Sequence, residues 1–200
     1  MMFFDRHAPR WDEMSRHDSS RLARIAAALD IFPGVRILDV GCGTGAFTSF
    51  LLENSSEPLE IVCADFSGKM LEVARRKLSQ RKEVSFCRLD VTTESFPGKA
   101  FDRIICFSCF PHLNNKAAAL SNFRRHLSPG GLLVIAHSEN YLKINEFHRK
   151  CEGPVRHDII PGPIEMKKML EVLNFSPVMV TDEPDIYIVK AGKGEKAPEL

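Results

Sequence analysis

The chain has 200 residues, 44% of them apolar, with 27 Lys and Arg against 26 Asp and Glu and a net charge of +1. That is the size of one domain, with enough apolar residues for a core and too many for a disordered, collagen-like or disulfide-stapled chain. Near-neutral charge disfavours a protein that works by neutralising nucleic-acid phosphates, and no apolar run reaches the ~18 residues of a membrane helix.

The first residues, MMFFDRHAPR, carry charge and lack the apolar stretch of a secretory leader. Six cysteines, at 42, 63, 87, 106, 109 and 151, are scattered, and most sit inside apolar runs as small hydrophobes do. A reducing, cytoplasmic compartment is therefore expected. Residues 19–30 place Leu22, Ile25, Ala26 and Leu29 at helical spacing, with Ser19 or Ser20 as the cap. Residues 35–40 (VRILDV) read as a buried strand, and 46–53 open a helix directly after a run of glycines. A second strand is expected at 59–64, and an amphipathic helix over 68–80 aligns Met70, Leu71, Ala74 and Leu78. Strands follow at 84–89 and 101–107, then a helix over 115–127 that stops before SPGG at 128–131, then a strand at 132–137. The segment 138–160 interrupts this alternation with a short helical stretch (144–151) and a Pro/Gly-rich connection, an insertion placed where α/β proteins select substrate. A helix over 163–174 begins at a Pro and ends at an Asn. Residues 178–182 and 186–190 form a closing pair joined at 183–185, and the polar tail 192–200 is expected to fray. Strands alternating with helices predict a single α/β domain over 1–200, a parallel sheet covered on both faces. The three-residue link is too short for a parallel crossover, so the last strand is expected to be antiparallel.

The sharpest local signal is DVGCGTG at 39–45. Gly41, Gly43 and Gly45 permit a tight turn and close backbone approach to a ligand, and the following helix aims its N-terminal amides at the same place. The spacing also satisfies a dinucleotide fingerprint through Gly41, Gly43 and Ala46, with Asp65 as the ribose acid, so the loop alone leaves the cofactor open. Three carboxylates, Asp39, Asp65 and Asp90, end three successive strands. Asp39 would repel a pyrophosphate and attract an ammonium group; Asp65 can accept from ribose hydroxyls and Asp90 from an adenine amine. Phe66 and Met70 are placed to pack on the adenine ring.

With LDVGCGTG (38–45), ADFSGKML (64–71), LDV (89–91), FDRIICFSCFPHL (101–113) and LSPGGLLVIAHSE (127–139) in this order, the chain resembles the class I, Rossmann-like S-adenosylmethionine-dependent methyltransferases. The resemblance implies a three-layer αβα sandwich around a seven-stranded, mostly parallel sheet with an antiparallel last strand. It implies S-adenosyl-L-methionine as cofactor, with Asp39 and the loop of Gly41, Cys42, Gly43 and Gly45 at its methionine end. Asp65 would then hold the ribose, Asp90 with Val91 the adenine, and Phe107 would line the reactive side. The N-terminal FFDRHAPRWDE (3–13) resembles the lid of the small-molecule branch that includes the ubiquinone/menaquinone-biosynthesis methyltransferases, with Phe4, Asp5, Ala8, Trp11 and Asp12 filling the FD-x-x-A-x-x-[WY]-D pattern. A lid over 1–18 is thus expected.

Methyl transfer by in-line displacement demands alignment more than a particular base. His112, after the fourth strand, and His137, ending the fifth, are the candidate catalytic residues. His148, Arg149 and His157 are read as solvent-facing, and Lys143 or Arg156 could meet an acidic substrate. Cys106-x-x-Cys109-x-x-His112 lacks a second cysteine pair at zinc spacing and is read as buried hydrophobes, so no metal is expected. FSCFP replaces the [DN]-P-P-[YFW] stretch of the branches that methylate nucleic-acid adenine or amides, and no Pro-Cys occurs. The acceptor is therefore expected to be a small molecule and not a nucleic acid. A nicotinamide-dependent reductase and a noncatalytic adenosyl-ligand-binding protein remain the competing readings.

Overall fold

Val35, Ile37, Leu38 and Val40 are all buried, so the first strand has no face left for solvent and must lie inside a sheet covered on both sides. The computed structural model describes residues 2–96 and 98–194 and shows that sheet. Its strands are β1 (Val35–Val40), β2 (Leu59–Asp65), β3 (Val84–Arg88), β4 (Phe101–Phe107), β5 (Leu127–His137), β6 (Phe175–Glu183) and β7 (Ile186–Lys193). They lie in the order β3-β2-β1-β4-β5-β7-β6. Neighbours from β3 to β5 are parallel, and β7 runs antiparallel to both β5 and β6. The chain winds outward from β1 to β3, then returns to β4 on the other side of β1. Such a reversal opens a crevice at the carboxyl ends of β1 and β4.

The helices are α1 (Met2–His7), α2 (Trp11–Met14), α3 (Ser19–Ala28), α4 (Ala46–Asn54), α5 (Gly68–Lys77), α6 (Lys116–His126), α7 (Tyr141–Lys150) and α8 (Pro163–Val172). Strand alternation divides the core in two. Leu22 and Ile25 of α3, Phe47 and Leu51 of α4 and Leu71 of α5 cover one face of the sheet. Leu120 and Phe123 of α6, Ile144 of α7 and Leu170 of α8 cover the other. This is the three-layer sandwich the sequence implied. No helix of the described residues is long and apolar enough to cross a membrane.

Four local expectations need correction. Asp18, not Ser19 or Ser20, caps α3: its carboxylate accepts from the Ser20 and Arg21 amides. Strand β5 begins at Leu127, which pairs with Phe101; a register shift before Arg103 absorbs the glycines of SPGG, so they bend the ladder instead of ending it. Helix α7 starts at Tyr141, because the Asn140 side chain caps it by accepting from the Lys143 amide. Gly192 and Lys193 are not frayed: Gly192 pairs with Leu132, and Lys193 pairs with Phe175. The fit is close there, since a Cβ on Gly192 would come 2.7 Å from the Ser176 carbonyl oxygen. The remainder of the expected tail, 195–200, lies outside the described residues.

Candidate functional site

The crevice holds a cavity of about 260 Å³. Its floor is the glycine loop. Gly41 has φ +63°, and a Cβ there would sit 2.6 Å from Cβ of Cys109, so both backbone and space demand glycine. Gly45, at φ +79°, turns the chain into α4.

Asp39, next to last in β1, lies between Cys63 of β2 and Ile105 of β4, wholly buried. Thr48 Oγ1, one turn into α4, donates to its Oδ2 at 2.6 Å, and no Lys or Arg of the described residues pairs with it. Burial pushes the Asp39 carboxyl up to about 7; the Thr48 hydrogen bond opposes this and the nearby Asp65 adds to it. A buried acid at the lip of a cavity, short of a cation, is the strongest electrostatic feature of the site. Asp65 ends β2. Its Oδ2 accepts from the Gly43 amide at 2.9 Å and its Oδ1 from the Ser67 amide at 2.7 Å. Burial still raises the Asp65 carboxyl, against those two amides. Asp90 follows β3, and its Oδ1 accepts from both the amide and the hydroxyl of Thr92, at 2.8 and 2.6 Å.

The cavity brings together every cofactor candidate read from the sequence: Asp39, Gly41, Cys42, Gly43, Asp65, Phe66, Met70, Asp90, Val91 and Phe107 line it, and Gly45 closes the loop beneath. Phe66 is about half exposed at the rim, whereas Met70 is buried in the wall. His112 lines it as well, in the turn Phe110–His112 after β4. His137 does not. Strand alternation puts it on the face of Leu133 and Ile135, away from the loop, where it is buried with Nε2 unpartnered. Burial, with His112, His148 and His17 nearby, pushes the His137 imidazole down to about 3.

Three contributors had no readable signal. Thr48 is the hydrogen-bond partner of Asp39. His17 enters the cavity on the loop before α3, with its ring 4.7 Å from that of Phe107 and its Nδ1 3.2 Å from Ser138 Oγ. Asp158, from the connection after α7, lies with Oδ2 2.7 Å from His112 Nδ1. His148 is not solvent-facing either: it is buried, and its Nδ1 donates to the Asp158 carbonyl at 2.6 Å. Cys106 and Cys109 are buried as expected, Cys109 Sγ donating to the Val40 carbonyl.

The N-terminal segment roofs the cavity with Phe4, Trp11 and Ser15. Two acids pin it. Asp5 accepts from Ser67 Oγ at 2.5 Å; Asp12 accepts from Thr44 Oγ1 at 2.5 Å and pairs with Lys77 at 2.6 Å. The Ser67 hydroxyl holds the Asp5 carboxyl below the usual carboxylate range. The anchors therefore join the segment to the glycine loop and to α5.

Fold and site define a Rossmann-like α/β protein with a cavity at its switch point. Residues 38–133 match the family model of the methyltransferase domain. The chain is 32% identical over 163 residues to the demethylmenaquinone methyltransferase of Renibacterium salmoninarum, a match covering 76% of this chain and 60% of that protein. It is 36% identical over 139 residues to the Thermus thermophilus demethylmenaquinone methyltransferase, covering 66% of this chain and 62% of that one. The chain thus spans about three fifths of the length of these curated relatives. Among solved structures, a Haemonchus contortus phosphoethanolamine N-methyltransferase, in complex with phosphomonomethylethanolamine and S-adenosylhomocysteine, superposes with a TM-score of 0.79 at 15% identity, over 98% of this chain and 58% of that one. Residues 38–133 are thus similar to the methyltransferase domain, and the chain is similar to these demethylmenaquinone methyltransferases over 139–163 residues.

Proposed function

We propose that this protein transfers the methyl group of S-adenosylmethionine to a small-molecule acceptor enclosed by the N-terminal segment. The observation that carries this reading is the buried Asp39 carboxylate, which faces a cavity floored by glycines and has no cation partner among the described residues. An amino-acid ammonium supplies that cation, whereas a pyrophosphate would set like charges together in a site of low dielectric. Asp39 and the loop Gly41, Cys42, Gly43 and Gly45 would hold the methionine end, Asp65 the ribose hydroxyls, and Asp90 with Val91 the adenine edge. Phe66 and Met70 would pack on the ring, and Phe107 would line the reactive side. The cofactor, once bound, supplies a methyl group already activated on a sulfonium.

What the chain contributes is enclosure and alignment. Phe4 and Trp11 exclude water above the cavity, and the Asp5 and Asp12 anchors make the segment a lid. No Lys or Arg lines the cavity among the described residues, which favours a small uncharged acceptor over a nucleic acid. Buried thiols without disulfides among the described residues fit a reducing, cytoplasmic setting.

Calorimetric titration tests the reading. S-adenosylhomocysteine is expected to bind and NAD(P) not to. Replacing Asp39 by Asn should lower that affinity by about tenfold to a hundredfold, the worth of a charge-assisted hydrogen bond. Because Asp39 titrates at about 7 without a cation, pairing with the ammonium expels a proton below that pH. Affinity should therefore rise between pH 5.5 and 7.5 in the native chain and stay flat in D39N. A preference for the dinucleotide, or an affinity indifferent to D39N, would overturn the assignment.

A further inference from the structure

We infer that Cys106 and Cys109 form a paired-thiol modification site, which a small two-electron oxidant entering the cavity converts to a disulfide, and that this disulfide disturbs the glycine loop and lowers cofactor affinity. The disulfide stands on geometry alone; its effect on affinity rests on the cofactor reading above.

Cys106, next to last in β4, is wholly buried between Val40 of β1 and Ile135 of β5. Cys109 stands at the start of the turn Phe110–His112 and lines the cavity. Between them Ser108 has φ +52°, a left-handed conformation that L side chains rarely adopt, and its amide donates to the Ala136 carbonyl at 2.9 Å. The bend folds Cys109 back on Cys106, so that their Sγ atoms lie 2.8 Å apart. A thiol has one hydrogen to donate. Cys109 gives its own to the Val40 carbonyl at 2.9 Å, so Cys106 donates to Cys109 Sγ. A bond between the two sulfurs needs little movement of either segment.

The same sulfur touches the glycine loop. A Cβ on Gly41 would lie 2.7 Å from Cys109 Sγ, and Val40, whose carbonyl takes the Cys109 hydrogen, is the residue before Gly41. A disulfide consumes both S–H groups, so the Val40 carbonyl loses that donor just where β1 enters the loop. The hydrogen bond from Cys106, and then burial, hold the Cys109 thiol well above the usual thiol range. The thiolate is the nucleophile, so the pair stays reduced at rest and reacts faster as pH rises.

The step balances with a peroxide as oxidant. The Cys109 thiolate attacks a peroxide oxygen: an S–O bond forms, the O–O bond breaks, and the leaving hydroxide takes up the thiol proton as water. The Cys106 sulfur then attacks the Cys109 sulfur: the S–S bond forms, the S–O bond breaks, and a second water leaves. Two thiols are oxidised and one peroxide is reduced to two waters. Diamide, an azo compound, runs the same exchange at nitrogen, with its N=N bond reduced to a hydrazine.

Diamide and peptide mapping read the modification. Cleavage after Arg103 and Lys116 isolates residues 104–116, which hold Cys106 and Cys109 and no other cysteine. This peptide should emerge lighter by two hydrogens and regain them in dithiothreitol. Calorimetry on the oxidised chain should show S-adenosylhomocysteine affinity lower by about tenfold, the worth of one lost hydrogen bond, and restored by dithiothreitol. At about ten times its Kd, S-adenosylhomocysteine should slow the oxidation about tenfold, because only the unliganded chain reacts. Cys106→Ala should bind within about threefold of the native chain and keep that affinity in diamide; Cys106→Val, nearer in volume, gives the same reading. An unchanged 104–116 peptide, or oxidation confined to the peptide 37–69 that holds Cys42 and Cys63, would overturn the site. Affinity unmoved by the disulfide, lost equally in C106A, or a rate indifferent to bound ligand would overturn its coupling to the loop. No S-adenosylhomocysteine binding by the reduced native chain would instead overturn the cofactor reading, and the peptide map would still decide the disulfide.

Discussion

Two buried ionisable residues at strand ends, Asp39 and His137, meet opposite fates for the same physical reason. Burial disfavours the charged form of each, raising the acid and lowering the base. Asp39 opens on the cavity, where a ligand can restore its charge; His137 faces packed core, where nothing does. A base depressed in the folded state contributes its stability in full above its unfolded value of 6.5 and loses it as pH falls toward about 3. His137→Phe should therefore flatten the acid limb. Urea midpoints compared at pH 7 and pH 5 should show the native chain losing about 2 kcal/mol more than the variant, at 1.36 kcal/mol per pH unit. An unchanged difference between the two pH values would mean that the ring finds a proton partner in the folded state. His17 and His148, also depressed by burial, act in the same direction and keep the variant from becoming fully flat.

At the scale of elements, the N-terminal segment is held in place by weak contacts. The helices α1 and α2 are each too short to hold themselves together. Their place comes from Asp5 on Ser67 and from Asp12 on Thr44 and Lys77. The Asp12 side chain is half exposed, so its ion pair is screened, and contributions of this kind run to about 0.2–1 kcal/mol each. Asp12→Ala should lower S-adenosylhomocysteine affinity by about threefold to tenfold, mainly through faster dissociation, which stopped-flow displacement measures directly. Its melting temperature should hardly move, because the sheet is formed without the segment. The FD-x-x-A-x-x-[WY]-D pattern marks this segment in the sequence. The partners of its acids lay on other elements and were not legible. The same holds at the start of α3, where the sequence favours Ser19 or Ser20 as the cap and Asp18 does the capping.

Across the whole molecule, two apolar clusters share one sheet, and the site sits where the sheet reverses its winding. Phe123 of α6 is fully buried in the cluster on the face opposite the glycine-loop helix, with its ring 6.3 Å from that of Phe96. Phe123→Ala should cost about 3–5 kcal/mol in urea unfolding. The transition should stay single and cooperative, because both faces depend on the same strands. From residue 19 onward the order and type of the elements are legible in the sequence, as are the glycine loop and the three carboxylates at the ends of the strands. Each is a local pattern: a period, a turn chemistry, or a charge at the end of an apolar run. Tertiary structure alone decided that His137 turns into the core, that His17 joins the cavity, and that Asp158 crosses to His112. Those outcomes depend on which face a strand presents and on the path a connection takes between packed elements, and neither is fixed by the residues next in the chain.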